Sequence, residues 1–262
     1  VLGHRICAVG RNVGHRDPGF PGCMDVHYIV TRGQHSDEPQ IGAALYCPGA
    51  YGRLICIHRL CPANAFHHPV LGRPVINRQI PQVLQALTDT NAVQTVGYGM
   101  DPYCQAAADT IRRLCAAPDA AVHFLVGGTQ VNLVTIDAFL QSYEAVVAAQ
   151  TGHVSTHETG AIEATGHKVC TVESPDGKLT PALVESVLAG HNGTEHMVLP
   201  RMVYISDTTE IGTVYTRAEL AALRQCCDVH GLFLYLDGAR LGSALTSPDN
   251  DLTLPDLAAL TD

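Results

Sequence analysis

The stretch Leu232-Phe233-Leu234-Tyr235-Leu236-Asp237-Gly238-Ala239-Arg240 decides the fold. Five residues without a charge or a break run straight into a carboxylate, followed by Gly-Ala and a guanidinium. A run that is hydrophobic at every position reads as a strand buried on both faces, the kind found in a parallel sheet covered by helices. The acid at its end then marks the edge where such strands emerge from the core.

Reading outward, the same alternation repeats. Thr216 caps a helical pattern that runs to about His230, and Val203–Ser206 reads as a strand before it. Thr180 caps the helix PALVESVLAG, which ends at Gly190. Lys168–Val172 and Ala145–Ala149 are strand-like, with the helical stretch HETGAIEATG between them. Val122–Val126 is an apolar run, followed by Gly127-Gly128-Thr129-Gln130 and a helical pattern through Leu140. Helices are also predicted over Gln105–Ala116 and from Pro81 to Leu87. Strands separated by helices give an α/β fold, a three-layer mostly parallel sheet flanked by helices.

Four polar clusters each follow an apolar strand: GGTQ at 127–130, TGH at 151–153, DTTE at 207–210 and DGAR at 237–240. Parallel strands put all four on one edge, where ligands of open α/β sheets bind. GGTQ opens a helix, and its glycines and the helix N-terminus suit a phosphate, although an ordinary tight turn has the same pattern. Asp237 at the mouth of a buried strand needs a partner. Arg240 could be that partner; alternatively Asp237 faces a protonated ring nitrogen while Arg240 grips a carboxylate. His153 reads either as a surface histidine or as a flat ring stacked on another ring and able to move a proton. Together, a phosphate cradle, an acid for a pyridinium and an arginine for a carboxylate describe pyridoxal phosphate with an amino-acid substrate.

The composition divides the chain near residue 78. Residues 1–78 hold eight Arg, no Lys and four acidic residues, a charge of +4, whereas residues 79–262 hold six Arg, two Lys and 21 acidic residues, a charge of −13. The first segment has no sustained hydrophobic period, and we expect it to be an atypical, weakly ordered or non-native extension. Residues 79–262 are expected to form a partial cofactor-binding large domain. Cys47, Cys56, Cys61, His67 and His68 have spacings that fit no usual zinc pattern, so no metal site is expected. Overall, a net charge of −9 argues against nucleic acid as a partner, and no run of 18 apolar residues predicts a transmembrane helix. Ten cysteines without a disulfide-type framework and no visible leader point to the cytoplasm.

The segments GYGMDPYC (97–104), VHFLVGGTQ (122–130), TGHVSTHETGAIEATGHKV (151–169), YISDTTEIGT (204–213) and YLDGARLGSAL (235–245) occur in this order. Over roughly residues 81–262 they resemble the threonine aldolase and aromatic amino acid β-eliminating lyase family, within the fold type I pyridoxal 5′-phosphate enzymes. The resemblance implies that Gly128, Thr129 and Gln130 hold the cofactor phosphate. It implies that His153 stacks on the ring, Asp237 pairs with its nitrogen, and Arg240 meets the substrate carboxylate. His196 is similar in position to a family histidine near the substrate hydroxyl. The segment around Tyr98 resembles one beside a neighbouring subunit's site, which implies a homodimer or homotetramer.

The activity so implied is retro-aldol cleavage of a β-hydroxy-α-amino acid such as L-threonine, with His153 or His196 taking the hydroxyl proton. β-Elimination is the close alternative. The chain departs from the family pattern at Asn77-Arg78-Gln79-Ile80-Pro81, where family members have an Asn/Ser-Asp stretch and a His-Pro. It also departs in carrying no lysine after Asp237, where the family's Schiff-base lysine falls. Truncation before that lysine, and hence a catalytically inactive fragment, is a further expectation. A sulfur-transfer relative would require a reactive cysteine, for which Cys104 is the candidate.

Overall fold

The computed structural model describes residues 81–191 and 193–262, together with the backbone of β1 (His27–Arg32) and β2 (Leu54–His58). The chain continues through α1 (Pro81–Thr90), α2 (Pro102–Leu114), β3 (Ala120–Leu125), α3 (Gly128–Phe139) and β4 (Glu144–Ala149). There follow α4 (His153–Thr156), α5 (Ala161–Ala164), β5 (Lys168–Val172), α6 (Pro181–Ala189) and β6 (Leu199–Ser206). The described residues end with α7 (Arg217–His230), β7 (Phe233–Gly238), α8 (Leu241–Leu245) and α9 (Leu254–Leu260).

Every strand expected from residue 79 onward is present. Thr180 and Thr216 cap their helices by accepting from the Leu183 and Glu219 amides, and Thr216 with Glu219 completes a capping box. HETGAIEATG does not form one helix. Thr159 and Gly160 both take positive φ, 50° and 77°, and this break separates α4 from α5.

The strands lie in the order β3-β1-β2-β7-β6-β4-β5. β5, β4, β6 and β7 are mutually parallel, and β2 runs parallel to β7. β1 is antiparallel to both β2 and β3, so β3 points the same way as the parallel group. The expectation for residues 1–78 falls largely outside the described residues; within that segment β1 and β2 pair between β3 and β7. The side chains of the Cys47–His68 group lie outside them too.

Alternation along the strands builds two cores. Val147, Ala149, Val203, Ile205, Leu234 and Leu236 face one cluster with Leu220 and Leu223 of α7. Val146, Ala148, Met202, Tyr204 and Tyr235 face the other with Val131 and Ile136 of α3 and Ile162 of α5. Both faces of the sheet are thus covered, which is why β4 is buried at every position. Among the described residues no helix is long and apolar enough to cross a membrane.

Candidate active site

Because β3, β4, β6 and β7 run the same way, their carboxyl ends deliver GGTQ, TGH, DTTE and DGAR to one edge. The Asp207 amide donates to the Asp237 carbonyl at 3.1 Å, so β6 and β7 remain together at their ends. At β3, Gly127 takes the N-cap position of α3 in extended conformation, φ −164°, with no side-chain cap. The amides of Gly128, Thr129 and Gln130 open the helix and have no partner within it. A Cβ on Gly127 would meet nothing within 4 Å, so there is room beside this turn. Gln130 folds back, its Oε1 accepting from the Val126 amide at 3.2 Å.

Asp237 is 1% exposed. Its Oδ2 accepts from the Tyr204 hydroxyl at 2.5 Å and from Asn132 Nδ2 at 3.1 Å, and its Oδ1 accepts from the Ala239 amide at 2.9 Å. These three donors are neutral, and each stabilises the carboxylate. Burial, and then the Asp237 carboxylate beside it, pushes the Tyr204 phenol well above its ordinary range, so the proton stays on the tyrosine. Parity along the strands explains the grouping. Tyr235 and Asp237 lie two apart on one face of β7, Tyr204 and Ser206 on the same face of β6.

Asn132 also donates to Glu158 Oε1 at 2.9 Å, and its own Oδ1 accepts from the Tyr235 hydroxyl at 2.7 Å. Glu158 in turn lies 3.7 Å from His153 Nε2. Through these contacts α3, α4 and β7 place His153 and Asp237 in one connected group. Glu158 Oε2 is buried without a hydrogen-bond partner. The His157 ring sits 5.2 Å from that of His153.

Arg240 does not pair with Asp237. Its Nε and Nη2 donate to the Thr208 carbonyl at 3.2 and 3.0 Å, and Nη2 also meets Glu210 Oε1 at 2.8 Å. Ser206 donates to the same Glu210 oxygen at 2.8 Å, and its hydroxyl lies 3.4 Å from that of Tyr204. The guanidinium is therefore tied into the Asp237 group at its far end, with Nη1 left over.

His196 is not brought to this edge. It is exposed in the loop before β6, at the amino ends of the strands, and β6 spans eight residues, about 26 Å at roughly 3.3 Å each. Arg201 stays at that end too, 3.9 Å from Glu144 and over the Phe233 ring. His167 is buried, 3% exposed, with Nδ1 3.1 Å from the Glu144 carbonyl. Lys168 starts β5 at the same far edge, and Lys178 is engaged by Glu219 at 2.6 Å. The Asp101 carboxylate accepting from Cys104, with some burial, pushes that thiol up to about 11, the opposite of a reactive thiolate.

Asn132, Glu158, Tyr204 and Tyr235 were not singled out from the sequence. A signal existed for two of them, since stepping back by two from Asp237, and across to the neighbouring strand, reaches the tyrosines. Asn132 meets both Asp237 and Glu158 only through tertiary packing.

Comparison with known proteins bears on this site. The sequence model of the beta-eliminating lyase family matches residues 80–254. The chain is 37% identical over 166 residues to a low specificity L-threonine aldolase of Pseudomonas sp. (strain NCIMB 10558), covering 63% of this chain and 47% of that protein. The corresponding Pseudomonas aeruginosa protein is 36% identical over the same length and coverage. A solved structure of Leishmania major threonine aldolase is 56% identical with a TM-score of 0.69, over 70% of this chain and 53% of that one. The chain thus spans about half the length of the relatives it matches.

Proposed function

The chain belongs to the beta-eliminating lyase family, and from that premise we propose a pyridoxal 5′-phosphate-dependent carbon–carbon lyase acting on β-hydroxy-α-amino acids, with L-threonine giving glycine and acetaldehyde. The observation that carries this reading is Asp237, a buried carboxylate at a strand end, held by neutral donors one of which comes from α3. The residues fit the cofactor. The first three amides of α3 have no partner within the helix and suit a phosphate, while an acid, an imidazole and a guanidinium share the same edge.

When bound, pyridoxal phosphate supplies a ring that accepts the electron pair of the broken Cα–Cβ bond. Gly128, Thr129 and Gln130 hold its phosphate. Asp237 keeps a proton on the ring nitrogen. The His153 ring, 3.7 Å from Glu158, would lie against the bound cofactor and would take the proton of the substrate hydroxyl. Arg240 offers Nη1 to the substrate carboxylate while Thr208 and Glu210 fix the rest of its guanidinium. With His196 at the opposite edge, the hydroxyl proton is assigned to His153 alone.

A homo-oligomer in the cytoplasm completes the proposal. α1 has no buried residue, and Leu84, Leu87, Val96 and Tyr98 are exposed along it and the following loop. Exposed apolar side chains of this kind suit a second copy of the chain.

The test is equilibrium dialysis of the protein against pyridoxal 5′-phosphate, followed by an acetaldehyde assay with L-threonine using alcohol dehydrogenase and NADH. Binding with acetaldehyde release supports the reading, pyruvate release from L-serine in its place would point to β-elimination, binding with neither product is the result expected of a chain with no lysine after Asp237, and absence of cofactor binding would overturn the proposal.

A further inference from the structure

We propose that Asn132 is a positioning residue that clamps the ring acid Asp237 and the imidazole brace Glu158 to the helix carrying the phosphate cradle; this rests on the cofactor reading above. One side-chain amide nitrogen lies 2.9 Å from Glu158 Oε1 and 3.1 Å from Asp237 Oδ2. The two carboxylate oxygens are therefore no more than about 6 Å apart, in a site where Asn132, Glu158 and Asp237 are each 2% exposed or less. Like charges that close repel strongly in a poorly screened interior, and a shared N–H₂ group satisfies both without adding a charge.

The orientation of the amide is fixed. Tyr235 donates its hydroxyl to Asn132 Oδ1 at 2.7 Å, which leaves the nitrogen, the side with two donors, facing both acids. A leucine would fill similar space and offer neither acid a donor. An aspartate would add a third carboxyl between the other two.

Location gives the clamp its purpose. Asn132 follows Gly128 by four residues on α3, close to one turn and about 6 Å further along the axis. The helix whose first amides would take the phosphate thus also grips the acid that would take the ring nitrogen. Through Glu158 it reaches His153. Phosphate end, ring acid and imidazole are spaced by one rigid element, so losing Asn132 should loosen the ring and spare the phosphate.

Two probes separate those contributions, and neither depends on turnover. 4′-Deoxypyridoxine 5′-phosphate has the ring and phosphate but no aldehyde; inorganic phosphate has only the anion. Binding of both to the unloaded protein is measured by equilibrium dialysis for the wild type, Asn132→Leu and Tyr235→Phe. The expected result is about a tenfold loss for the ring probe in Asn132→Leu, a smaller loss of roughly threefold in Tyr235→Phe, and phosphate binding within about twofold throughout. Equal loss of both probes would make Asn132 merely structural, and unchanged ring binding would leave it without a role; either overturns the inference. If Asn132→Leu does not fold, Tyr235→Phe decides on the same criterion. Failure of the wild type to bind the ring probe would overturn the cofactor reading itself, and is seen before any variant is compared.

Discussion

Tyr204 and Asp237 form a 2.5 Å hydrogen bond in which the phenol is the donor and the carboxylate the acceptor. They reach one another because β6 and β7 pair in register, with Ser206 opposite Asp237 and Tyr204 opposite Tyr235. Tyr204→Phe removes the hydroxyl and keeps the ring. A buried carboxylate that loses one of its donors costs about 1.5–3 kcal/mol. Urea unfolding at pH 8 should show a lower midpoint with unchanged slope, and pyridoxal 5′-phosphate binding should weaken. A midpoint equal to that of the wild type would show that the bond carries no net stability.

Asp207, 1% exposed at the end of β6, gives a pH signature. Burial raises its carboxyl from 3.8 to about 7, with the Tyr215 amide, Lys178 and Arg240 pulling partly the other way. The folded group keeps its proton up to about pH 7, whereas the unfolded chain loses it near pH 4. Its effect on stability is therefore most favourable below pH 4, declines as pH rises to about 7, and is level above that. Asp207→Asn should flatten this slope and raise stability at pH 8 by roughly 2–4 kcal/mol, as read from denaturation midpoints between pH 5 and pH 8. A variant with the wild-type slope would show that another group sets it.

Arg240→Lys tests the proposed grip on the substrate. Lysine keeps the charge but cannot hold Thr208 and Glu210 while also presenting a planar fork. The cofactor-loaded protein should hold L-threonine about tenfold more weakly, as read by titration calorimetry. Unchanged affinity would show that Arg240 does not meet the substrate carboxylate.

At Gly177 the backbone takes φ +73°, and a Cβ would lie 3.2 Å from Ile211 and 3.3 Å from both Thr151 and Thr209. Gly177→Ala should cost about 1–3 kcal/mol through strain and crowding. It acts where the loops after β4, β5 and β6 converge, so thermal melting should fall along with cofactor affinity. A loss of stability with full affinity would separate the loop packing from the site.

Self-association is tested on the exposed face of α1. Leu87 is 62% exposed, and Tyr98 is fully exposed at positive φ, 65°. Leu87→Lys should shift a light-scattering mass toward the monomer. If the wild type is already monomeric at high concentration, the oligomer proposal fails.

How far the sequence could be read depended on the range of the interactions involved. Periodicity and caps are local, so β4, β5 and β7 and the starts of α6 and α7 fall where the residues place them. The common edge for GGTQ, TGH, DTTE and DGAR followed from strand direction alone. Asn132 was not legible, because its partners are 26 and 105 residues away. His196 was assigned toward the site by its resemblance in position to a family histidine, while the apolar pattern, interrupted at Pro200 and Arg201, made β6 seem to begin at Val203. The strand starts at Leu199 instead, with Pro200 near its first residue and a register shift where Arg201 is passed over between the Ala145–Pro200 and Val146–Met202 pairs. Those added residues carry His196 away from the edge. Arg240 was expected to choose between Asp237 and a ligand; the structure gives it a third partner in Glu210, which a linear reading of DGAR could not supply.

The two cores are sorted by odd and even numbers along β7: Leu234 and Leu236 go one way, Tyr235 and Asp237 the other. A single-residue insertion or deletion upstream within that strand would invert this parity, sending the acid into the aliphatic layer and leucines toward Asn132. Chemistry at the rim is thus encoded in phase as much as in composition, and natural length variation should be excluded from Phe233–Asp237 while it is tolerated in the loops on either side.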